Sequence, residues 1–541
     1  MDKGGAPALE CGMNELDRQG AIIVNVHDFG GAGTGTRDDS AAIQAAVDAV
    51  ADGGTILFPA GTYRVDREIA VHRRSDLHFV GKQATITGGA ERFRCFFNCE
   101  NCRNLTFDAL EFRQNGTRLP PYEHKDHGDS YHCPIYFIEG DGLVVKDSAF
   151  HDLYSLSVQF FRSVNLTVQG CAFSSQIQTN NQWFQFVHLQ TFGGANVISS
   201  CRFVAAPAQS PAYNPSAVYA SGGAKGSSLT IENNHAEYCG RNNQGSHRLG
   251  VFDIYGDAQN VTVRNNVSAN TMAQFMRLSA TRNALISGNH VSMSDYAEFD
   301  YSILTIESVV NFAPGQVGCQ NVTVSRNKFE DLSGRSAFAI GVLSYDWGAP
   351  STDIAIKENI FVGCRRSVLV GGPFQRVNIE SNGGTQGPNS IEIGQNGLNA
   401  MRVTQLIENE CGGKFDELLI SRNYIINGSK YDSNAVTINL VKDPVYKGSV
   451  GLFVISHNYF RRVGRTDPGQ AIAVSINAVG LQGRVHIVGN ETCGFTHDWY
   501  IRGSREVVVE DNRAFDSAAS PYLDDGTNSS VTLRNNRTVR R

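Results

Sequence analysis

The sequence predicts an all-β chain wound as a single-stranded, right-handed parallel β-helix of about 15 or more coils. Three observations predict it. A short apolar-x-apolar-x-x-Asn strand recurs eleven times, its asparagine holds one register throughout, and the opening segment reads as a cap for one end of such a stack.

The strands begin with LTIENN, VTVRNN and ALISGN and end with VVVEDN and VTLRNN; their last residues are Asn234, Asn266, Asn289, Asn327, Asn359, Asn382, Asn423, Asn458, Asn490, Asn512 and Asn536. Successive asparagines are 22 to 41 residues apart. Upstream, LTFDAL, LVVKDS, LTVQGC and NVISSC continue the register to Leu110, Ser148, Cys171 and Cys201. Stacking equivalent strands at ~4.8 Å turns each such position into a ladder along the axis. Asparagine suits a turn because it tolerates left-handed backbone, and its amide both donates to and accepts from the amides above and below. Unequal spacing then means that loops of different length leave the other corners. Leucine-rich or propeller repeats would carry Leu-x-x-Leu-x-Leu or Trp-Asp signatures, and these are absent.

Residues 24–65 read as a strand, a glycine loop, an amphipathic helix and a strand. Asp38, Asp39 and Ser40 offer N-cap chemistry, and Ile43, Val47 and Val50 form the apolar stripe. A helix here would cover the open edge of the first coil. This segment, VNVHDFGGAGTGTRDDSAAIQAAVDAVADGGTILFPAGTYRV, resembles the N-terminal signature of the pectate-lyase-like superfamily, shared by polygalacturonases, fructotransferases and tailspike depolymerases. The resemblance implies one continuous domain, with residues 1–65 as N-terminal segment and capping helix and 66–541 as the coil stack. It implies monomers or homotrimers and a sugar-binding flank, but the Asn-Thr-Asp, Asp-Asp, Gly-His-Gly and Arg-Ile-Lys motifs of polygalacturonases are absent in order. No catalytic residue is carried over.

Composition narrows the partners. Hydrophobic residues make up 41% and charged residues 18%, with 55 glycines and 15 prolines, as befits an ordered chain rich in strands and turns. The 47 basic and 53 acidic side chains give a net charge of −6 without a basic block, so no nucleic-acid partner is expected. No apolar run reaches ~18 residues, so no membrane span is expected. The opening MDKGGAPALECGMNELDRQ lacks a signal-peptide core, which leaves localisation open: cytoplasmic, or exported or virion-borne if the chain is a piece of a longer one. The twelve cysteines are dispersed, and Cys171 and Cys201 fall on the ladder register, so buried thiols are expected rather than disulfides. Cys95, Cys99 and Cys102 have metal-like spacing but no fourth ligand fixed by sequence.

The strand preceding each asparagine strand is expected to carry the functional face. In residues 186–190, 217–221, 250–255, 275–279 and 303–308, alternation puts Val187, Leu189, Val218, Ala220, Phe252, Ile254, Met276, Leu278, Leu304 and Ile306 inside. His188, Gln190, Tyr219, Ser221, Asp253, Tyr255, Arg277, Ser279, Thr305 and Glu307 then face solvent on five consecutive coils. Asp253 and Glu307 lie two coils apart, about 9.6 Å along the axis, close to the ~6.5 to 9.5 Å that leaves room for an inverting water. Arg277 lies on the coil between them.

These residues point to a carbohydrate-active enzyme that hydrolyses glycosidic bonds, with Asp253 and Glu307 as acid and base and Arg277, His188 and Tyr255 assisting. Gln190, Tyr219, His247, Arg248, Asp257, Asp300 and Tyr301 are the expected binding residues for an oligo- or polysaccharide. A lyase would use the same face, with Arg277 neutralising a uronate and His188, Tyr219 or Tyr255 moving protons. A non-catalytic carbohydrate-binding β-helix is the third reading, and any of these groups on its own also fits a solvated strand face with cross-strand pairs. No cofactor is required by the hydrolytic reading; calcium is a secondary expectation. The histidine-rich segment PPYEHKDHGDSYH reads as a loop at the rim rather than a metal site.

Overall fold

The structure is a computed structural model; it describes residues 22–539 apart from 89–94, 114–132, 153–155, 177–183, 208–213, 243–247, 296–301, 309–317, 333–337, 345–349, 365–366, 372–373, 386–390, 395–413, 428–434, 440–448, 463–471, 478–482, 517–521 and 525. Sixteen parallel strands, from Ile69–His72 to Tyr522–Asp524, stack in coil order into one sheet, here the site sheet. The strands on both sides of the asparagine corner form a second parallel array. Each coil therefore contributes to both walls, which is the predicted parallel β-helix. All ten residues expected inside the site sheet are fully buried in the main core. Aromatic side chains stack along the axis there, as in Phe112, Phe150, Phe173 and Phe203.

The asparagine ladder is continuous from Asn234 to Asn536. Each Nδ2 donates to the next asparagine's Oδ1 at 2.8–3.0 Å. That same Oδ1 also accepts the preceding asparagine's backbone N–H, for example Asn266 N to Asn289 Oδ1 at 2.9 Å. The second Nδ2 hydrogen reaches back to a strand carbonyl of the preceding coil, as from Asn266 to Ile231. Buried amides are thus satisfied by one another, coil after coil. Upstream, Cys201 Sγ donates to Val168 O, as Asn234 Nδ2 does to Ile198 O. A thiol takes over one of the amide's bonds there.

The left-handed turn belongs to a different residue from the one expected. The residue before each ladder position has positive φ: Asn233, Arg326, Glu358, Arg422 and His457 lie between 53° and 58°. Asparagine is kept at the corner for its side-chain bonds, and its neighbour carries the backbone strain. Left-handed tolerance matters instead at the start of the asparagine strands, where Asn104, Asn165, Asn260, Asn283 and Asn321 have φ of 49–63°. Two rungs there form a second, exposed file, with Asn283 donating to Asn260 and Asn321 to Asn283.

The helix Ser40–Ala49 covers the first coil as expected. Ile43, Ala46 and Val47 enter the core, while Gln44 exchanges two hydrogen bonds with the Ala70 backbone, standing in for a missing strand. The cap chemistry is divided. Asp38 Oδ1 accepts from Ser40 N, whereas Asp39 accepts from Ala32 N and Gly33 N and thereby ties the glycine loop to the helix. Arg74 closes the other end on the Val47 and Val50 carbonyls.

Cys171, Cys201, Cys239, Cys319 and Cys364 are buried thiols. Cys99 and Cys102 sit in the main core and Cys95 in a separate apolar cluster, and among the described residues no group of three or more His, Cys, Asp or Glu side chains is placed to hold a metal ion. No helix among the described residues is long and apolar enough to cross a membrane.

Two substitutions separate the roles at the corner. Asn458→Ala removes the acceptor of Asn423 N and Nδ2 and should destabilise the protein by about 3 kcal/mol or more in denaturant titration. Glu358→Gly, which relieves a φ of 58°, should cost nothing and gain up to ~1 kcal/mol.

Candidate functional site

Five consecutive strands of the site sheet carry the predicted cluster: Gln185–Gln190, Ser216–Ser221, Phe252–Tyr255, Met276–Ser279 and Ser302–Ser308. Parallel pairing aligns His188 with Tyr219, Tyr219 with Asp253, Asp253 with Arg277 and Arg277 with Thr305. A neighbouring file, two residues further along each strand, aligns Gln190 with Ser221, Ser221 with Tyr255 and, on the later coils, Ser279 with Glu307. Asp253 and Glu307 are therefore two coils apart but on different files. Their relation is diagonal, and the in-line spacing read from coil number alone is corrected by this offset.

Arg277 links the two files. Its Nε donates to Glu307 Oε1 at 2.5 Å, Ser279 Oγ donates to the same oxygen at 2.8 Å, and the guanidinium carbon lies 5.0 Å from the Tyr255 ring centroid. Burial works against the guanidinium charge, and Glu307, joined by Asp253 when that carboxyl is ionised, more than offsets it. Tyr255, half-buried, has its hydroxyl pKa raised chiefly by burial.

The expectation that this face is open to solvent is also corrected. Asp253 is 0% exposed, Thr305 1%, His188 3% and Glu307 7%. Among the described residues neither Asp253 oxygen has a hydrogen-bond partner of normal geometry. Burial pushes its carboxyl up to about 7; Arg277 and the nearby Gly250 N–H oppose this, and Glu307 reinforces it. Burial pushes His188 down to about 3, which keeps the imidazole neutral. Its ring meets Tyr219 edge-on at 5.0 Å, and Tyr219's hydroxyl is raised by burial and by Asp253.

Two apolar clusters bound this polar interval along the axis. On the preceding coils Cys95, Cys133, Tyr136, Ile138, Leu156 and Phe161 pack together outside the main core. On the following coils Phe338, Leu343 and Leu369 do the same. Leu343 follows Glu307 in its file, and Leu369 lies two coils beyond Thr305 in the other. The face is sealed on either side and polar and charged in the middle.

Other expected residues fall elsewhere. Asp257 lies at the exposed corner beyond Tyr255, with φ of 54°. His247, Asp300, Tyr301 and the histidine-rich segment lie outside the described residues. Arg248 is described only as backbone, in the short strand Arg248–Leu249 paired with Arg241–Asn242. Sequence reasoning missed Gln274, whose buried amide donates to Thr305 Oγ1 at 2.8 Å, and the upstream file residues Asn98, Tyr136 and Gln159. The same strand-before-asparagine rule, applied to 95–100, 133–138 and 158–161, finds those three. Gln274 lies just outside its strand and carries no such signal.

Comparison with known proteins places the chain. The family described as "Rhamnogalacturonase A/epimerase, pectate lyase-like" matches residues 23–93. A mannuronan C5-epimerase of Azotobacter vinelandii is 48% identical over 64 residues, 10% of this chain and 6% of that protein. Plasmin and fibronectin-binding protein A of Streptococcus pneumoniae is 32% identical over 99 residues, 18% of this chain and 13% of that protein. The chain thus spans only a small part of the curated relatives it matches. Over the whole fold, a tailspike protein of an E. coli bacteriophage, solved with a pentasaccharide, superposes with a TM-score of 0.51 at 15% identity, covering 88% of this chain and 79% of that one. The chain is therefore a parallel β-helix whose residues 23–93 are similar to the pectate-lyase-like family.

Proposed function

We propose that this protein is a carbohydrate-active enzyme that hydrolyses glycosidic bonds of an oligo- or polysaccharide on the site sheet. The observation that carries the reading is Asp253, buried with its carboxyl at about 7, beside a second carboxylate held by Arg277 and Ser279. Two carboxyl groups in environments this different match the acid and base roles that glycoside hydrolysis requires. Asp253, protonated near neutrality and fully buried in the free protein, donates a proton to the leaving oxygen, a step that requires substrate binding to uncover its carboxyl. Glu307 activates water, and its hydrogen bonds from Arg277 and Ser279 fix its orientation. Tyr219, Tyr255 and Gln190 flank the pair as sugar-contacting groups, and His188 positions Tyr219. The reaction needs no cofactor.

Elimination from a uronate is the rival chemistry, and the local similarity to a mannuronan C5-epimerase is what favours it. Such a reaction needs a cation directed at the sugar carboxylate. Here Arg277 already donates to Glu307, which favours hydrolysis.

On a panel of neutral and acidic polysaccharides, reducing ends should appear without the ultraviolet absorbance of an unsaturated uronate. Asp253→Asn and Glu307→Gln should each lower kcat by about 10² or more. Full activity in both variants, or absorbing products, would sink the hydrolytic assignment. Activity should fall as pH rises through about 7, where Asp253 loses its proton.

The same group makes a stability prediction. Its folded pKa is raised, so the folded state holds the proton more tightly than the unfolded chain, and stability declines as pH rises from about 4 to about 7. Asp253→Asn should therefore be more stable than the wild type at pH ~8, with that advantage shrinking toward pH ~4 in denaturant titrations.

A further inference from the structure

A second feature lies on the strands that follow the asparagine corner, on other coils than the cluster. Ile360, Gly383, Tyr424 and Tyr459 occupy one outward file on four successive rungs. Ile360 and Tyr424 are 52% and 47% exposed, and Tyr424 is the most exposed aromatic residue among those described. Tyr424 and Tyr459 are stacked, 4.9 Å between centroids and 8° from parallel. Because Tyr459 covers one face of Tyr424, the other face looks toward the Gly383 rung. A Cβ built at Gly383 meets nothing within 4 Å among the described residues, so no described side chain fills that rung above the backbone.

The spacing of this gap is informative. A ring at the Gly383 rung would sit ~4.8 Å from Tyr424, the same separation the two tyrosines already keep, with Ile360 one rung beyond on its other side. The slot is one ring thick, with an aromatic wall and an aliphatic floor. Its rim is polar: Glu358, Ser381 and Arg422 are exposed at the adjoining corner, two residues before Ile360, Gly383 and Tyr424. A pyranose presents this combination, an apolar C–H face edged by hydroxyl groups. A flat apolar partner would find no continuous face at a gap one residue wide.

The geometry points to a surface subsite at Gly383 that takes one hexopyranose unit of a glycan, stacked on Tyr424 with its hydroxyls toward the Glu358, Ser381 and Arg422 edge. The subsite does not depend on the catalytic reading. It would hold a glycan on a different wall of the coil from Asp253 and Glu307.

Methyl glucoside, methyl galactoside and methyl mannoside, each tested by saturation-transfer NMR with the full chain, are the probes. At least one should receive saturation on its ring protons. Gly383→Val, which fills the empty rung with a residue suited to a strand, and Tyr424→Ala should each weaken that signal by about fivefold, while Tyr424→Phe should retain it. Asp253→Asn should leave it unchanged. No signal with any of the three sugars, or a signal indifferent to Gly383→Val and Tyr424→Ala, overturns the subsite. A signal lost only in Asp253→Asn overturns it too, while leaving the site-sheet reading intact. If Gly383→Val instead converts a wild-type dimer to monomer in sedimentation, the slot is a contact between copies and the proposal fails.

Discussion

From Asn234 to Asn536 this fold rests on the bonds between buried asparagine side chains. A parallel coil brings together residues 22 to 44 positions apart, and only repeated pairing at one point per coil keeps each rung from slipping on the next. The ladder supplies that point. Each amide uses both donors and its acceptor within the stack, so none of its polar groups is stranded in the core. The arrangement also explains why the residue before it varies so freely: Arg326, Glu358, Ser381 and His457 all take left-handed backbone because the ladder behind them leaves no alternative.

Register on one wall becomes chemistry on another. The Val263 and Ile286 carbonyls accept from Asn289 and Asn327 Nδ2, and the coils of Val263 and Ile286 carry Asp253 and Arg277 across the core. Cluster residues come from five coils and approach only because the coils are in step. Between two apolar satellite clusters, the polar interval is dry enough to raise Asp253 and lower His188, yet it contains a guanidinium that keeps Glu307 in a defined orientation. Desolvation and pairing thus separate two carboxyl groups that the sequence presents as equivalents.

Much of this was legible in the residues themselves. Alternation identified all ten inward side chains of the five strands, from Val187 to Ile306, because a strand has only two faces. The ladder was legible because asparagine recurs where apolar neighbours mark the strand. Burial of the outward face was not: alternation assigns Asp253 and His188 to the side away from the core, and nothing in their own strands says that this side is covered as well. Nor was the diagonal of Asp253 and Glu307: coil count gives distance along the axis, while position across the sheet depends on register, which pairs Glu307 with Ser279. The left-handed residues escaped for a related reason, because Glu358 and Arg422 have no preference that announces such a turn.

The link between ladder and site can be measured by native-state hydrogen exchange on an Asn289→Ala variant. Asn289 accepts from Asn266 and donates to Asn327, on the coil that carries Arg277. If the ladder sets the register of the whole coil, exchange should quicken in Phe252–Tyr255 and Met276–Ser279 on the opposite wall as well as at the corner itself. Faster exchange confined to residues around 289, with both site strands as protected as in the wild type, would contradict the account.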